Sequence, residues 1–205
     1  MKKTIKNIIF DFGGVLVDLD KQFCVDAFER IGAHEISGYV DECRQEDLFH
    51  DLEIGNISVP EFCDEVRRKS QCTASDEAVC KAWNALLVGI PRRRLQALLA
   101  LRDHYRLFLL SNTNAIHWEK AQTQLFPMDG YGVDDYFEET YLSYELHLLK
   151  PGSEIFDYLL KDAGIKAGET LFLDDSAANC KGAAQVGIHA LQTVGDHWIE
   201  KLNEK

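Results

Sequence analysis

No hydrophobic run in the sequence approaches the length that a membrane requires. A transmembrane helix needs about 20 consecutive apolar residues, whereas the early run Ile8-Ile9-Phe10 is interrupted by Asp11. Lys2 and Lys3 therefore do not open a signal peptide. We expect neither a transmembrane nor a secretory segment, and hence a cytoplasmic protein.

Basic residues are in the minority. The 205 residues include 22 Lys and Arg against 34 Asp and Glu, which gives a formal net charge of -12. This charge disfavours nonspecific binding to nucleic acids and to anionic lipid. The basic clusters Arg67-Arg68-Lys69 and Arg92-Arg93-Arg94 lie within helical patterns and indicate solvated helix faces. We expect neither nucleic acid nor a membrane as a partner, and the sequence does not indicate an oligomeric state.

The sequence also lacks a Cys-x-x-Cys pair and a histidine at metal-ligand spacing from a cysteine. In a reducing compartment, such cysteines are small core or surface residues rather than disulfide partners or zinc ligands. This expectation covers Cys24, Cys43, Cys63, Cys72, Cys80 and Cys180.

Three short apolar runs each end in polar residues. They are Ile5–Phe10 before Asp11, Leu107–Leu110 before Ser111, and Leu171–Leu173 before Asp174-Asp175. Apolar runs without alternation are typical of strands buried on both faces of a parallel sheet. Helical patterns lie at Pro91–Arg102, Ser153–Ala163 and Asn179–Val186. Strands that alternate with helices predict an α/β fold with a doubly wound parallel sheet.

The stretch from about Leu19 to Gly89 has helical periodicity and almost no strand signal. Ser58-Val59-Pro60-Glu61 has the pattern of a capping box and predicts a helix start. Apolar stripes place Phe23, Phe28 and Trp83 in the interior of this helical module. We expect a core domain of residues 1–18 and 90–205, with a helical cap domain of residues 19–89 inserted at the carboxyl edge of the sheet.

Carboxylates stand at the ends of two predicted strands. Asp11 is followed by Gly13 and Gly14, which let the backbone approach closely, and it suits a nucleophile or a metal ligand. Asp174 and Asp175 would repel each other unless a cation offsets their charge. Magnesium prefers oxygen ligands, so the three carboxylates predict a Mg²⁺ site. A local cap and a solvated acidic turn are the alternatives.

Groups that suit an anion stand near the same strand ends. The segment from Ser111 to Asn114 offers a hydroxyl and backbone N–H groups before a helix whose amino end favours anions. Lys150 precedes a proline and a helix, where its charge could offset that of a phosphoryl group and of Asp11. Singly, Ser111 suits an ordinary helix cap and Lys150 a surface position. Their joint occurrence in this order is improbable by chance.

In this order, the residues resemble the four motifs of the haloacid dehalogenase (HAD) superfamily of phosphatases. The resemblance implies that Asp11 is the nucleophile that forms an aspartyl-phosphate, and that Lys150 is the catalytic lysine of the third motif. It also implies that the phosphate is bound by Ser111, Asn112 and Lys150, and Mg²⁺ by Asp11, the backbone carbonyl of Gly13, Asp174 and Asp175. The helical insertion stands where the family carries its small four-helix cap.

Two stretches narrow the resemblance. Leu110-Ser111-Asn112-Thr113-Asn114 and Glu53-Ile54-Gly55-Asn56-Ile57-Ser58 are similar to the group that contains bacterial glucose-1-phosphate phosphatases and the amino-terminal phosphatase domain of soluble epoxide hydrolases. This similarity implies hydrolysis of a small phosphomonoester of the sugar-phosphate kind. His50 and Glu53 are candidates to face the substrate from the cap, and plain surface positions are an equal alternative for them.

One position departs from the family pattern. In most phosphatases of the family, the residue two after the nucleophile is a second Asp that protonates the leaving group, but here it is Gly13. The carbonyl that serves Mg²⁺ is kept and the acid is lost, a change that typically costs about 10²–10⁴-fold in rate. Asp18 and Asp20 could substitute, although a hinge or helix-start role is favoured for them.

Three other functions stay open. A metal-independent 2-haloacid dehalogenase would share the nucleophile, but the adjacent Asp174 and Asp175 argue against it. A phosphomutase would need the acid that Gly13 replaces. A catalytically weak binding or regulatory protein is motivated by Gly13 and opposed by the otherwise complete motifs.

Overall fold

The computed structural model of the chain describes residues 5–41 and 48–203. Its strands are β1 (Asn7–Phe10), β2 (Asp18–Leu19), β3 (Leu87–Gly89), β4 (Arg106–Ser111), β5 (Glu139–Leu142), β6 (Thr170–Asp174) and β7 (His189–Gln192). Five of them form a parallel sheet in the order β5-β4-β1-β6-β7, while β2 and β3 pair antiparallel. Successive strands lie on both sides of β1, so the predicted doubly wound parallel sheet is confirmed.

The central strands of the sheet are apolar on both faces. Ile8 and Phe10 pack in one hydrophobic cluster with Leu109, whereas Ile9 packs in another with Phe108. Successive side chains of a strand point to opposite faces of the sheet. Because helices cover both faces, these strands appear in the sequence as continuous apolar runs.

Helices connect the strands. Those between β2 and β3 are α1 (Lys21–Arg30), α2 (His34–Asp41), α3 (Leu48–Glu53), α4 (Val59–Ser70) and α5 (Asp76–Asn84). The others are α6 (Arg92–Leu101), α7 (Ala115–Lys120), α8 (Val133–Tyr136), α9 (Ser143–Leu146), α10 (Ser153–Asp162), α11 (Ala177–Gln185) and α12 (His197–Asn203). A π-helical turn at Ala121–Leu125 follows α7, and a 3-10 turn at Ala167–Glu169 precedes β6.

Helices α1 to α5 share a hydrophobic cluster of their own, to which α7 adds Ile116. Phe28 and Trp83 are buried in it, as predicted, but the prediction for Phe23 was wrong because its side chain is 53% exposed. The buried stripe of α1 runs through Cys24 and Phe28, and Phe23 lies one position out of phase with it. Ser58 forms the predicted capping box at the start of α4. The domain boundaries at 18/19 and 89/90 stay predictions.

The expected absence of a membrane-spanning helix and of disulfides can be examined in the described residues. No helix within residues 5–41 and 48–203 is long and apolar enough to cross a membrane. Five of the six cysteines are described and free, namely Cys24, Cys63, Cys72, Cys80 and Cys180. Cys43 lies outside the described residues.

Candidate active site

The ends of β1, β4 and β6 bring the sequence-predicted residues to one edge of the sheet. Phe10, the last residue of β1, is aligned with Leu109 of β4 and Leu173 of β6. Asp11 continues this ladder, because its backbone N–H donates to the carbonyl of Leu173 at 2.8 Å. Carboxyl ends of parallel strands are where doubly wound folds bind their ligands, and this edge is therefore the candidate site.

Lys150 joins two of the carboxylates. Its Nζ lies 2.7 Å from Oδ1 of Asp11 and 2.8 Å from Oδ2 of Asp174, and it also donates to the carbonyl of Leu110 at 3.0 Å. All three charged side chains are buried. Burial lowers the pKa of Lys150, but Asp11 and Asp174 outweigh this effect, so its pKa is raised and it stays an ammonium. The sequence placed Lys150 near Asp11, and the structure brings them into contact.

Burial changes the acidity of Asp11 itself. Burial raises the pKa of this carboxyl to about 6, with Lys150 acting in the opposite direction and Asp174 adding to the rise. The same two causes, burial first and then Asp174, raise the pKa of Asp175. The site therefore carries more negative charge than one lysine compensates, which favours a further cation.

Three carboxylates provide oxygen atoms for that cation. Ligand atoms of Asp11, Asp174 and Asp175 all lie within 4.8 Å of one another. Gly14 has a positive φ of 70°, and a Cβ at this position would lie only 2.6 Å from Oδ2 of Asp175. The absence of a side chain at Gly14 thus leaves the Asp175 carboxylate its space. Gly13 lies in the same turn after Asp11, and an all-oxygen donor set of this kind fits Mg²⁺.

Asp174 is fixed by residues that the sequence analysis did not single out. Its Oδ1 accepts hydrogen bonds from the backbone N–H of Ser176 at 2.8 Å and from Nδ2 of Asn179 at 3.0 Å. Ser176 is also the N-cap of α11. The helix start was visible in the sequence, but no local pattern shows that Asn179 turns back to a strand end.

Ser111 and Asn112 lie near Lys150, but their side chains form different hydrogen bonds. The Asn112 side chain brackets the backbone of Lys150, because it donates to the Lys150 carbonyl and accepts from the Lys150 N–H, both at 2.9 Å. The side-chain amide of Asn112 therefore positions the backbone of Lys150. The Ser111 side chain is buried, and its hydroxyl makes a single, long hydrogen bond of 3.4 Å within the described part of the chain, to the Asn112 carbonyl.

The two acids suggested as substitutes for the missing one have structural roles. Asp18 pairs with the buried Arg94 at 2.7 Å. Asp20 is the N-cap of α1, where its side chain accepts from the backbone N–H groups of Gln22 and Phe23. Both carboxylates thus have partners outside the site, as the predicted hinge and helix-start roles require.

Comparisons with known proteins agree with this geometry. The family model described as haloacid dehalogenase-like hydrolase matches residues 5–187. A D-ribitol-5-phosphate phosphatase of Bacteroides thetaiotaomicron is 36% identical over 199 residues, 97% of this chain and 97% of that one.

Solved structures of HAD family proteins also match the chain over most of its length. A HAD family enzyme from Bacteroides thetaiotaomicron, in complex with magnesium and inorganic phosphate, has a TM-score of 0.88 and 43% identity over 92% of this chain and 93% of its own. A predicted HAD-like family hydrolase from Porphyromonas gingivalis has a TM-score of 0.90 and 35% identity over 98% and 97%. The expectation of magnesium agrees with the first of these structures, while the narrower glucose-1-phosphate phosphatase group stays a prediction. The chain belongs to the haloacid dehalogenase-like hydrolase family.

Proposed function

We propose that the chain is a Mg²⁺-dependent phosphatase that hydrolyses a small phosphorylated metabolite, a sugar or sugar-alcohol phosphate, through an aspartyl-phosphate on Asp11. The observation that carries the proposal is the convergence of Asp11, Lys150 and Asp174 at the strand ends. The D-ribitol-5-phosphate phosphatase supports the substrate class, because the two chains match over 97% of their lengths. The sequence resemblance to sugar phosphatases points the same way.

The Asp11 carboxylate attacks the phosphorus in line with the leaving oxygen. The bond between phosphorus and the alcohol oxygen breaks, and the phosphoryl group is held as a mixed anhydride on Asp11. Water then attacks the phosphorus, releases inorganic phosphate and restores the carboxylate. Lys150 positions Asp11 through its 2.7 Å contact and contributes positive charge, since positioning and charge stabilisation supply most of the catalysis in phosphoryl transfer.

The remaining site residues bind the phosphate and the metal. The Ser111 hydroxyl and the Asn112 backbone N–H lie at the end of β4, next to Lys150, and bind phosphate oxygens. Asp11, the Gly13 carbonyl, Asp174 and Asp175 would hold Mg²⁺, which would supply positive charge to offset that of the phosphoryl oxygens. Residues 19–89 act as a cap over this edge, and the 2.6 Å contact between the Ser143 hydroxyl and the Glu53 carbonyl supports this arrangement.

The first experiment measures phosphate release from p-nitrophenyl phosphate, hexose phosphates and pentitol phosphates, in Mg²⁺ or in EDTA. It compares the wild type with Asp11→Asn and with Asp157→Asn, an exposed aspartate on α10. We expect activity only with Mg²⁺, its loss to background in Asp11→Asn, and an unchanged rate in Asp157→Asn. Asn cannot form the anhydride, so a variant with normal activity would refute the nucleophile.

The same panel separates the alternative functions. Chloride release from 2-chloropropionate in EDTA would indicate a dehalogenase. Binding of a phosphate analogue by folded protein, without turnover of any ester, would indicate a binding or regulatory role. Our proposal predicts neither result.

A further inference from the structure

Hydrolysis of a sugar phosphate needs a proton donor that the core of this site lacks. The leaving group is an alkoxide, which departs slowly unless it is protonated in the transition state. Gly13 offers no carboxyl at the position where most of the family's phosphatases have one. A Cβ at Gly13 would already lie 3.3 Å from Cδ1 of Leu19, so Leu19 lies against this position. The donor must therefore come from elsewhere in the chain.

The end of α3 is held directly against the phosphate-binding segment. The Ser143 hydroxyl lies 2.6 Å from the carbonyl oxygen of Glu53 and accepts from the backbone N–H of Thr113 at 2.9 Å. Thr113 is two residues after Ser111. A second contact, between Nδ1 of His147 and the carbonyl of the residue after Glu53, is 2.8 Å long. Glu53 is thus the cap residue that these contacts fix beside the end of β4.

The carboxyl of Glu53 has no partner among the described residues. Helix α3 packs against α4, α5 and α9, and the cation of α5, Lys81, is exposed. Each cation of α4 is paired elsewhere: Arg67 with Asp64 and Asp76, and Arg68 and Lys69 with Glu65. Helix α9 has no cation, and its Tyr144 hydroxyl donates to Glu145. No hydrogen bond or ion pair from the described part of the chain therefore reaches the Glu53 side chain.

This isolation changes the acidity of Glu53. Burial raises the pKa of the Glu53 carboxyl to about 7. Both protonation states are then populated near neutral pH, which is the condition for a group that first gives and later takes a proton. Glu53 is nevertheless only half-buried, so it is not sealed from solvent.

We propose that Glu53 is the general acid and base of the reaction, supplied by the cap in place of the carboxyl missing at Gly13. The inference rests on the proposed function. As Asp11 attacks and the phosphorus–oxygen bond breaks, the Glu53 carboxylic acid donates its proton to the departing oxygen, which leaves as an alcohol. The Glu53 carboxylate then removes a proton from the water that attacks the aspartyl-phosphate. Release of phosphate leaves both Asp11 and Glu53 in their starting states.

Leaving-group dependence tests this role. We would measure kcat/KM of the wild type, Glu53→Gln and Glu77→Gln on p-nitrophenyl phosphate, n-propyl phosphate and a pentitol phosphate. Glu77 is an exposed cap residue and serves as the matched control. For Glu53→Gln we expect a loss of about 10²–10⁴-fold on both alkyl esters and less than about 10-fold on the aryl ester, whose leaving group needs little protonation. The alkyl-ester kcat/KM of the wild type should fall as pH rises through about 7, and this fall should be absent in Glu53→Gln.

Three outcomes would overturn the inference. Equal loss on all three esters would indicate a structural role, and loss on the pentitol phosphate alone would indicate a contact to a substrate hydroxyl. Inactivity of the wild type on every ester would instead remove the proposed function and the inference with it.

Denaturant unfolding provides a readout that does not depend on turnover. Because burial raises the folded-state pKa of Glu53 from 4.5 to about 7, the wild type should lose stability relative to Glu53→Gln as pH rises from 5 to 8. A difference that does not vary with pH would contradict a carboxyl that is half-buried and has no partner among the described residues.

Discussion

At the residue scale, Lys150 holds together the carboxylates of Asp11 and Asp174. Its ammonium donates to Asp11, to Asp174 and to the carbonyl of Leu110, so each of its protons has an acceptor. Breaking a buried ion pair by removing one partner costs about 3–5 kcal/mol, because the other charge stays buried without compensation. We therefore expect Lys150 to contribute to stability in addition to the role in phosphoryl transfer that we propose for it.

We predict that Lys150→Met lowers the free energy of unfolding by about 3 kcal/mol in EDTA, and that Mg²⁺ restores part of it by supplying another positive charge. The variant should also lose about 10²–10³-fold in kcat/KM, the usual cost of removing one group that stabilises transition-state charge. Denaturant unfolding with and without Mg²⁺ measures the first effect, and phosphate release measures the second. Lys161→Met, at an exposed position of α10, is the control. Equal stability of the Lys150 and Lys161 variants in EDTA would count against the network.

The sequence predicted the residues that stand at strand ends and missed those that hold them. Asp11 directly follows the apolar strand β1, and Asp174 is the last residue of β6. The local sequence pattern was therefore enough to predict that both lie at strand ends. Asn179 and Ser143 have no such pattern, because each acts through a contact that depends on the completed fold. Ser143 contacts Glu53, which lies 90 positions earlier in the sequence. A local sequence motif cannot predict a contact between residues so far apart in the chain.

At the scale of elements, the turn between α3 and α4 determines where Glu53 lies. Gly55 has a φ of 74°, and a Cβ at this position would lie 2.2 Å from the backbone carbonyl of Tyr144. A side chain at Gly55 would thus collide with the segment that carries Ser143 and His147. The turn can pack against α9 only because this residue is glycine.

We predict that Gly55→Ala lowers kcat/KM on alkyl phosphates, because the collision moves Glu53 away from the end of β4. Gly164→Ala is a matched control, since Gly164 also has a positive φ, of 63°, but has open space around it. The control should lose about 1–2 kcal/mol of stability from backbone strain alone and keep its activity. Circular dichroism and phosphate release distinguish the two effects. Wild-type turnover by Gly55→Ala would show that the turn does not position a reacting group.

The elements that the sequence missed are those with weak patterns. Strands β5 and β7 lie at the edges of the sheet and contain polar residues, so they lack the continuous apolar runs of β1, β4 and β6. Strands β2 and β3 have two and three residues and exist through their pairing with each other. The burial of Phe23 was predicted wrongly because helical spacing alone does not determine which of two adjacent stripes of a helix faces the interior.

At the scale of the whole molecule, two cations join the helical module to the sheet, the half-buried Lys120 and the buried Arg94. Nζ of Lys120 donates to the carbonyls of Asn84 at 2.8 Å and Leu87 at 2.6 Å. Arg94 donates to the carbonyl of Leu16 at 2.8 Å, next to its ion pair with Asp18. The two connections between the helical module and the sheet run through β2 and β3. The contacts of Arg94 hold the connection at β2, and those of Lys120 hold the connection at β3. An insertion after the first strand was visible in the sequence as a change of periodicity, whereas the cations that hold it were not.

The most direct test of the central claim is to look for the phosphoryl group on Asp11 during turnover. The enzyme is mixed with Mg²⁺ and a pentitol phosphate, quenched in acid, digested and analysed by peptide mass spectrometry. Our account predicts one phosphoryl group on the peptide that contains Asp11, and none in EDTA or in Asp11→Asn. A phosphoryl group on a different peptide, or phosphate release by Asp11→Asn at the wild-type rate, would contradict it.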